Sequence, residues 1–511
     1  MRRIRRNLVF VEIVKSAKLS WSLLLLIVMP QAFAQQEFEF EHFEIVAPFK
    51  ISQDVIRADL LPNKGKELVI IGNENGQSKL ALFAFDDEKS SYQQILNIDI
   101  PTDIFRFDVT ETTENKPQSL YFLASNHVLI FDATLAQPFV VIADVDSIYI
   151  NDNATYLKSA EFINDLNEDG LNDIILSDFR NLNIYLNQGS NVFAKQALPI
   201  TPTVEVYDSS VSYTERPYYL VDMNQDNKKD IVLSGNAELL AFIQAPGGKF
   251  TIQPESIAVR KEVQSLKWWD ARGEDGKNLD QSDLQYRTVE ALEDINADDL
   301  PDMVVAYTQS SGVLDKNNDY EIYLGAIKQG KLFYPTTASS VVKGEGTLAG
   351  FEFIDVNNDE SMEILVSSFD ISVSQIISAL ISGSVDQDVL IFSLDNKQNY
   401  QQRVGEQVQL KFSLSSGKSG SPVVKLADLN GDGIKELILS ESDTTLSIYP
   451  GDINKQLVSS RAQSLEIRLP SNGKLLSSDD LNLDGKDEII IRYDTEDGAK
   501  RQNKLLVLQA K

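Results

Sequence analysis

An Asp-x-Asn-x-Asp loop recurs six times along the chain, opening at Asp165, Asp222, Asp294, Asp355, Asp428 and Asp480. Position nine of each copy is acidic (Asp173, Asp230, Asp302, Glu363, Glu436 and Glu488) and runs directly into an apolar stretch such as residues 174–177. Self-similarity at a spacing of tens of residues is the mark of a repeat architecture, and it has to be read before any single element. Two further segments align in position but lack the loop's polar centre. Residues 59–67 keep Asp59 and Glu67 at the ends, and residues 107–109 with 120–123 keep only the strands.

The runs between loops are four to eight residues long, β-branched or alternating, and bounded by Gly, Asn, Asp or Pro, which is strand patterning. The unit at Asp165 shows four such runs: residues 160–163, 174–177, 182–187 and 193–200. Four short strands per unit, repeated radially, make a β-propeller of antiparallel blades. The repeats predict eight blades, with seven as the alternative if the unit at Asp108 elaborates its neighbour. After the last loop only residues 488–493 and 504–509 remain as strands, while residues 38–49 are strand-like and left over. The N-terminal segment is therefore expected to supply the outer strand of the last blade and close the ring, which leaves no long edge exposed.

Oxygen ligands at alternate loop positions suit a hard cation. Side chains at positions one, three and five turn inward on a tight loop, and a carbonyl at seven and a carboxylate at nine add to them. Calcium takes six to eight oxygens in a flexible cage, whereas magnesium prefers to keep its waters. The absence of sulfur and imidazole ligands argues against zinc and copper. Position six favours φ > 0 and is Gly170, Asn227, Asp299, Glu360, Gly433 and Gly485; Glu360 is the poorest fit.

The unit Phe-x-Asp-x-Asn-x-Asp-Gly-x-x-Asp followed by an apolar strand resembles the FG-GAP or VCBS-type repeat of integrin α-subunits and exported bacterial proteins. The resemblance covers nearly all of residues 35–511 and lies with the bacterial form, since only faint echoes of the Phe-Gly and Gly-Ala-Pro signature stand at residues 187–193 and 244–250. It implies a calcium-binding propeller with up to six Ca2+. The ligands it implies are Asp165, Asn167, Asp169, Leu171 and Asp173 in the first loop, then Asp222, Asn224, Asp226, Lys228 and Asp230. In the later loops they are Asp294, Asn296, Asp298, Leu300 and Asp302; Asp355, Asn357, Asp359, Ser361 and Glu363; Asp428, Asn430, Asp432, Ile434 and Glu436; and Asp480, Asn482, Asp484, Lys486 and Glu488. Position seven gives its backbone carbonyl in each case.

Residues 1–34 read as a signal peptide, with Arg2, Arg3, Arg5 and Arg6 before a short apolar core at residues 23–28 and small residues at Ala32 and Ala34. The expected product is an exported, periplasmic or extracellular protein in which residues 35–511 form a single propeller domain. The apolar run is too short to span a bilayer, so no membrane insertion is expected after its removal. The chain has no Cys, which removes disulfides and thiol catalysis. Its net charge of -29 argues against nucleic acid and anionic lipid as partners.

Three insertions interrupt the repeats, at residues 201–216, 262–284 and 371–384. The second carries Trp268, Trp269 and Arg272, speculative ligand-binding residues that either stack on a sugar or anchor a partner, or else pack beneath the loop. The third has the helical spacing of Ile376, Ile377, Leu380 and Ile381. No nucleophile motif accompanies the two histidines, His42 and His127. The expectation is a non-enzymatic binding or adhesion module for a glycan or protein partner. The alternatives are a calcium-dependent polysaccharide-active enzyme, with Lys267 and Arg272 as candidate groups, and a scaffold subunit of a surface assembly.

Overall fold

In the computed structural model, eight small antiparallel sheets follow one another along the chain as the blades of a propeller. The structure describes residues 37–112, 117–149, 156–207, 210–259, 261–264, 284–312, 315–344, 346–369, 382–413, 418–454 and 456–511. Residues 38–511 make up the propeller unit. The signal peptide, Trp268, Trp269, Arg272, Lys267 and the Ile-rich insertion at residues 371–381 lie outside the described residues. Among the described residues no helix is long and apolar enough to cross a membrane.

Blade 3 is the simplest. Its strands Ile163–Asn164, Asp173–Ser177, Leu182–Asn187 and Phe193–Leu198 are hydrogen-bonded in that order. The second strand is buried on both faces and the fourth is mostly exposed, because the middle of each blade is sandwiched between its neighbours. Successive side chains point to opposite faces, so one strand feeds two cores. Ile174 and Leu176 pack with Tyr121, Leu123 and Val128 of blade 2, while Ile175 packs with Ile231 and Leu233 of blade 4. Eight such clusters fill the eight junctions.

The N-terminal strand closes the ring as the sequence predicts. Phe40–Val46 pairs antiparallel with Lys504–Ala510, from Phe40↔Ala510 to Val46↔Lys504. It completes blade 8, whose other strands are Leu476–Asp479 and Glu488–Arg492. The seam is reinforced by blade 1, where Arg57 Nε and Lys66 Nζ reach Asp479 at 3.2 and 2.6 Å.

Antiparallel blades sort their connections by face. Loops from the first to the second strand share one face of the propeller with turns from the third to the fourth. Hairpins between the second and third strands share the opposite face with the links between blades. All six Asp-x-Asn-x-Asp loops are first-to-second connections. All three insertions start and end on the opposite face: the first holds the hairpin Thr203–Tyr207/Ser210–Thr214 between blades 3 and 4, the second joins blades 4 and 5, and the third joins Glu363–Phe369 to Ser384–Leu394 in blade 6.

One detail of the repeat alignment is corrected by strand register. Val109 pairs with Leu120 as Asn164 pairs with Asp173, so Thr110, and not Asp108, occupies the first loop position of blade 2. Asp108 sits inside the strand instead. Its Oδ2 accepts hydrogen bonds from the Phe162 and Ile163 amides of blade 3, both at 2.7 Å.

Candidate metal loops

Each loop is rooted at two points. Position two is apolar in every copy and buried: Leu166, Met223, Ile295, Val356, Leu429 and Leu481. Each enters the core between its own blade and the next. Position nine is a buried carboxylate that accepts the amide of position two, from Leu166 to Asp173 at 3.1 Å through Leu481 to Glu488 at 2.7 Å. The same bond recurs at Asp230, Asp302, Glu363 and Glu436. The other oxygen of Asp173, Asp230, Asp302 and Glu436 accepts an amide near the end of the third strand, from Asn187, Gln244, Gly325 and Gly451.

Between the roots the loops share one conformation. The carboxylate of position one accepts the amide of position six at 2.7–3.0 Å in all six copies. Position five accepts the amide of position seven in all six. Two residues per loop are left-handed. Position six is the expected one, and Glu360 takes it too, with φ 70. Position four is the other: Glu168, Gln225, Ala297, Asn358, Gly431 and Leu483 all have φ between 56 and 77. Sequence reasoning missed this position because its residue types vary, although Gly431 is a trace of it. A left-handed non-glycine residue costs roughly 1–2 kcal/mol, and such strain persists only where the surroundings over-determine it.

Burial raises the position-nine carboxyls, and the acids at positions one and five raise them further. Asp173 and Asp230 are pushed up to about 6, Asp302, Glu363 and Glu436 to about 7, and Glu488 to about 8. The charges of each loop therefore bear on one another across a buried point, which a cation would relieve.

Among the described residues no cluster of three or more His, Cys, Asp or Glu side chains is gathered as an ion centre. The donor set nevertheless fits a hard cation. At position three the amide oxygens of Asn296 and Asn482 are buried without a hydrogen-bond partner, and an unpaired buried acceptor costs about 1–3 kcal/mol. In four other loops the same oxygen accepts the amide of position five.

The loops are also joined to one another. The amides of Met362, Lys435 and Lys66, each at position eight, donate to the position-two carbonyls of Ile295, Val356 and Leu481 in the preceding blade at 3.0, 2.8 and 2.6 Å. Asp487 donates to Asp428 O at 2.6 Å, and Gln244 Nε2 donates to Leu166 O at 2.6 Å. Blade 5 has Pro301 at position eight and no N–H to give. The loop of blade 1, which lacks the Asn and Asp of positions three and five, keeps the frame, since Glu67 Oε2 accepts the Leu60 and Leu61 amides at 2.7 and 3.0 Å.

Residues 165–233 match the model of the FG-GAP-like repeat, from the first position of the blade 3 loop into the second strand of blade 4. The chain is a β-propeller that carries an FG-GAP-like repeat at residues 165–233. Among solved structures it is similar to the β-propeller domain of Vanderwaltozyma polyspora Nup133, at 13% identity and TM-score 0.39 over 86% of this chain and 99% of that one. It is also similar to an Agrocybe aegerita lectin that recognises non-reducing terminal N-acetylglucosamine, at 12% identity and TM-score 0.36 over 82% and 81%. A third likeness is to the V. cholerae biofilm matrix protein Bap1, at 12% identity and TM-score 0.29 over 80% and 88%. At these scores the likenesses carry no argument about a ligand. No curated protein matches the chain. The histidines of this propeller stand apart, His42 in the closing strand and His127 at the start of a blade 2 strand, 3.5 Å from Asp103.

Proposed function

We propose that this FG-GAP-repeat propeller is an exported calcium-binding module that holds a glycan or protein partner, and that it is not an enzyme. The observation that carries the metal reading is the repetition of one strained loop conformation in six places, with Asn296 and Asn482 presenting unpaired amide oxygens inside it. When bound, calcium supplies charge neutralisation for the three acids of each loop. The chain's own residues do the rest: position two anchors the loop in the inter-blade core, and position nine ties it to the sheet. Because the loops of blades 5 to 8 and 1 bond in sequence, ordering one helps to order its neighbour.

Occupancy is expected to follow the turn residue. Asp169→Ala removes a charged ligand from a loop with Gly170 at position six, whereas Asp359→Ala acts on the loop with Glu360. Calorimetric titration with calcium should show a larger loss of bound metal for the first variant. Equal losses would show that position six does not control these sites. Export with cleavage after Ala34 predicts Gln35 as the first residue of the mature protein. N-terminal sequencing of the secreted or periplasmic fraction checks it, and an intact leader there would refute the assignment.

A further inference from the structure

We infer that a cleft on the metal-loop face, between the outer strands of blade 6 and the rim hairpin of blade 7, binds a saccharide carrying a single carboxylate. This deepens the binding-module reading, rests on it only in taking the chain as a binder, and does not require any loop to hold metal. The cleft has a volume of about 550 Å³, within the usual range for small-ligand sites of about 300–1,000 Å³. Its walls are the turn after Ser384–Leu394, the start of Tyr400–Ser413, and the Gly451–Asp452/Leu457–Val458 hairpin.

Two cations line it in a chain of net charge -29: Arg403 and Lys397. Among the described residues Arg403 is held by one bond, from Nε to the Oγ of buried Ser393 at 2.9 Å. That bond fixes the guanidinium plane and leaves both terminal nitrogens for a carboxylate, the geometry in which Arg binds bidentately. Among the described residues neither Arg403 nor Lys397 forms an ion pair. Asp395, the acid in the wall, is occupied in its own turn, where its Oδ1 accepts the Lys397 and Asn399 amides at 2.8 and 3.0 Å.

The rest of the lining suits a sugar ring. Asn396 and Gln401 present amides, which both donate and accept and so match hydroxyls of either polarity. Ile453 is 74% exposed and stands with Leu457 as an aliphatic side for ring C–H groups. Leu457 is buried with φ 64, a conformation that a bulky residue rarely adopts and that clusters at ligand clamps. The acidic surface disfavours polyanions at long range, while a single carboxylate within the cleft lies closer to Arg403 than the screening length of about 8 Å.

The test is titration of the mature chain, in calcium, with D-glucuronate, D-glucose and a short Glu-containing peptide, followed by chemical-shift or calorimetric readout. Glucuronate should bind saturably, glucose at least tenfold more weakly, and Arg403→Gln should lose at least tenfold in glucuronate affinity. Lys397→Gln, on an exposed turn, should lose several-fold with an unchanged melt, which keeps the test decisive if Arg403→Gln folds poorly. No saturable glucuronate binding, equal binding of glucose, or both variants binding as the parent would overturn the proposal. Tighter binding of the peptide would overturn the saccharide assignment. Failure of the metal reading would appear separately, as unchanged melting in chelator.

Discussion

In chelator the propeller should melt well below its melting temperature in millimolar calcium, and the gap should widen from pH 5 to pH 8. A ligand that binds only the folded state stabilises it by about 2.7 kcal/mol per site at a hundredfold excess over Kd. Several sites of that strength are comparable with the whole net stability of a typical domain, about 5–15 kcal/mol. The pH dependence follows from the position-nine acids. Their folded pKa values, about 6 for Asp173 and about 8 for Glu488, lie above the ordinary carboxyl range. With the loops free of metal, the folded state then holds more protons than the unfolded one between about pH 4 and 8, so stability is fully present at low pH and falls as pH rises through those values. Calcium takes the place of the protons and removes that loss, so its effect is largest at pH 8. Superimposable melts with and without chelator at pH 8 would refute calcium binding by these loops.

Glu67→Ala should destabilise the fold by about 3–5 kcal/mol, to the same extent in calcium and in chelator. Glu67 is fully buried, and its Oε2 satisfies the amides of both Leu60 and Leu61. Removing it leaves two half-buried amides without their acceptor, at about 1–3 kcal/mol each. Its loop has lost the Asn and Asp of positions three and five, so no metal is at stake there. Asp302→Ala removes the equivalent anchor, which accepts the amides of Ile295 and Gly325 at 3.2 and 2.7 Å, together with a proposed ligand. Its cost in chelator should resemble that of Glu67→Ala and should exceed it in calcium. Denaturant melts of both variants in both conditions separate the two roles. A calcium-dependent loss for Glu67→Ala would mean that the blade 1 loop also holds an ion.

The blade 2 repeat shows where a linear reading slips. Asp108 looks like a first loop position in sequence, but pairing of Val109 with Leu120 places it two residues earlier, in the strand, where it caps the amides of blade 3. An acid followed by a β-branched residue has the same appearance in either role, and only register distinguishes them. Position four was equally hidden, because a left-handed φ imposed by hydrogen bonds at positions one and five leaves little trace in residue type when Leu483 and Ala297 both accept it.

What the sequence determined by itself is whatever repeats locally: the eight units, the acidic loops with their oxygen-rich spacing, and the unpaired strand at each end that closes the ring at Phe40–Val46. These are period and composition, which act within a few residues and survive without neighbours. What the tertiary structure decided is everything that crosses a blade junction. The position-two side chains drop into cores shared with the next blade, and the position-eight amides link the loops of blades 5 to 8 and on to blade 1. The cleft at Arg403 lies between residues contributed by two blades. Such contacts depend on the twist and spacing of neighbouring sheets, which come from packing all eight blades at once and are written in no single repeat.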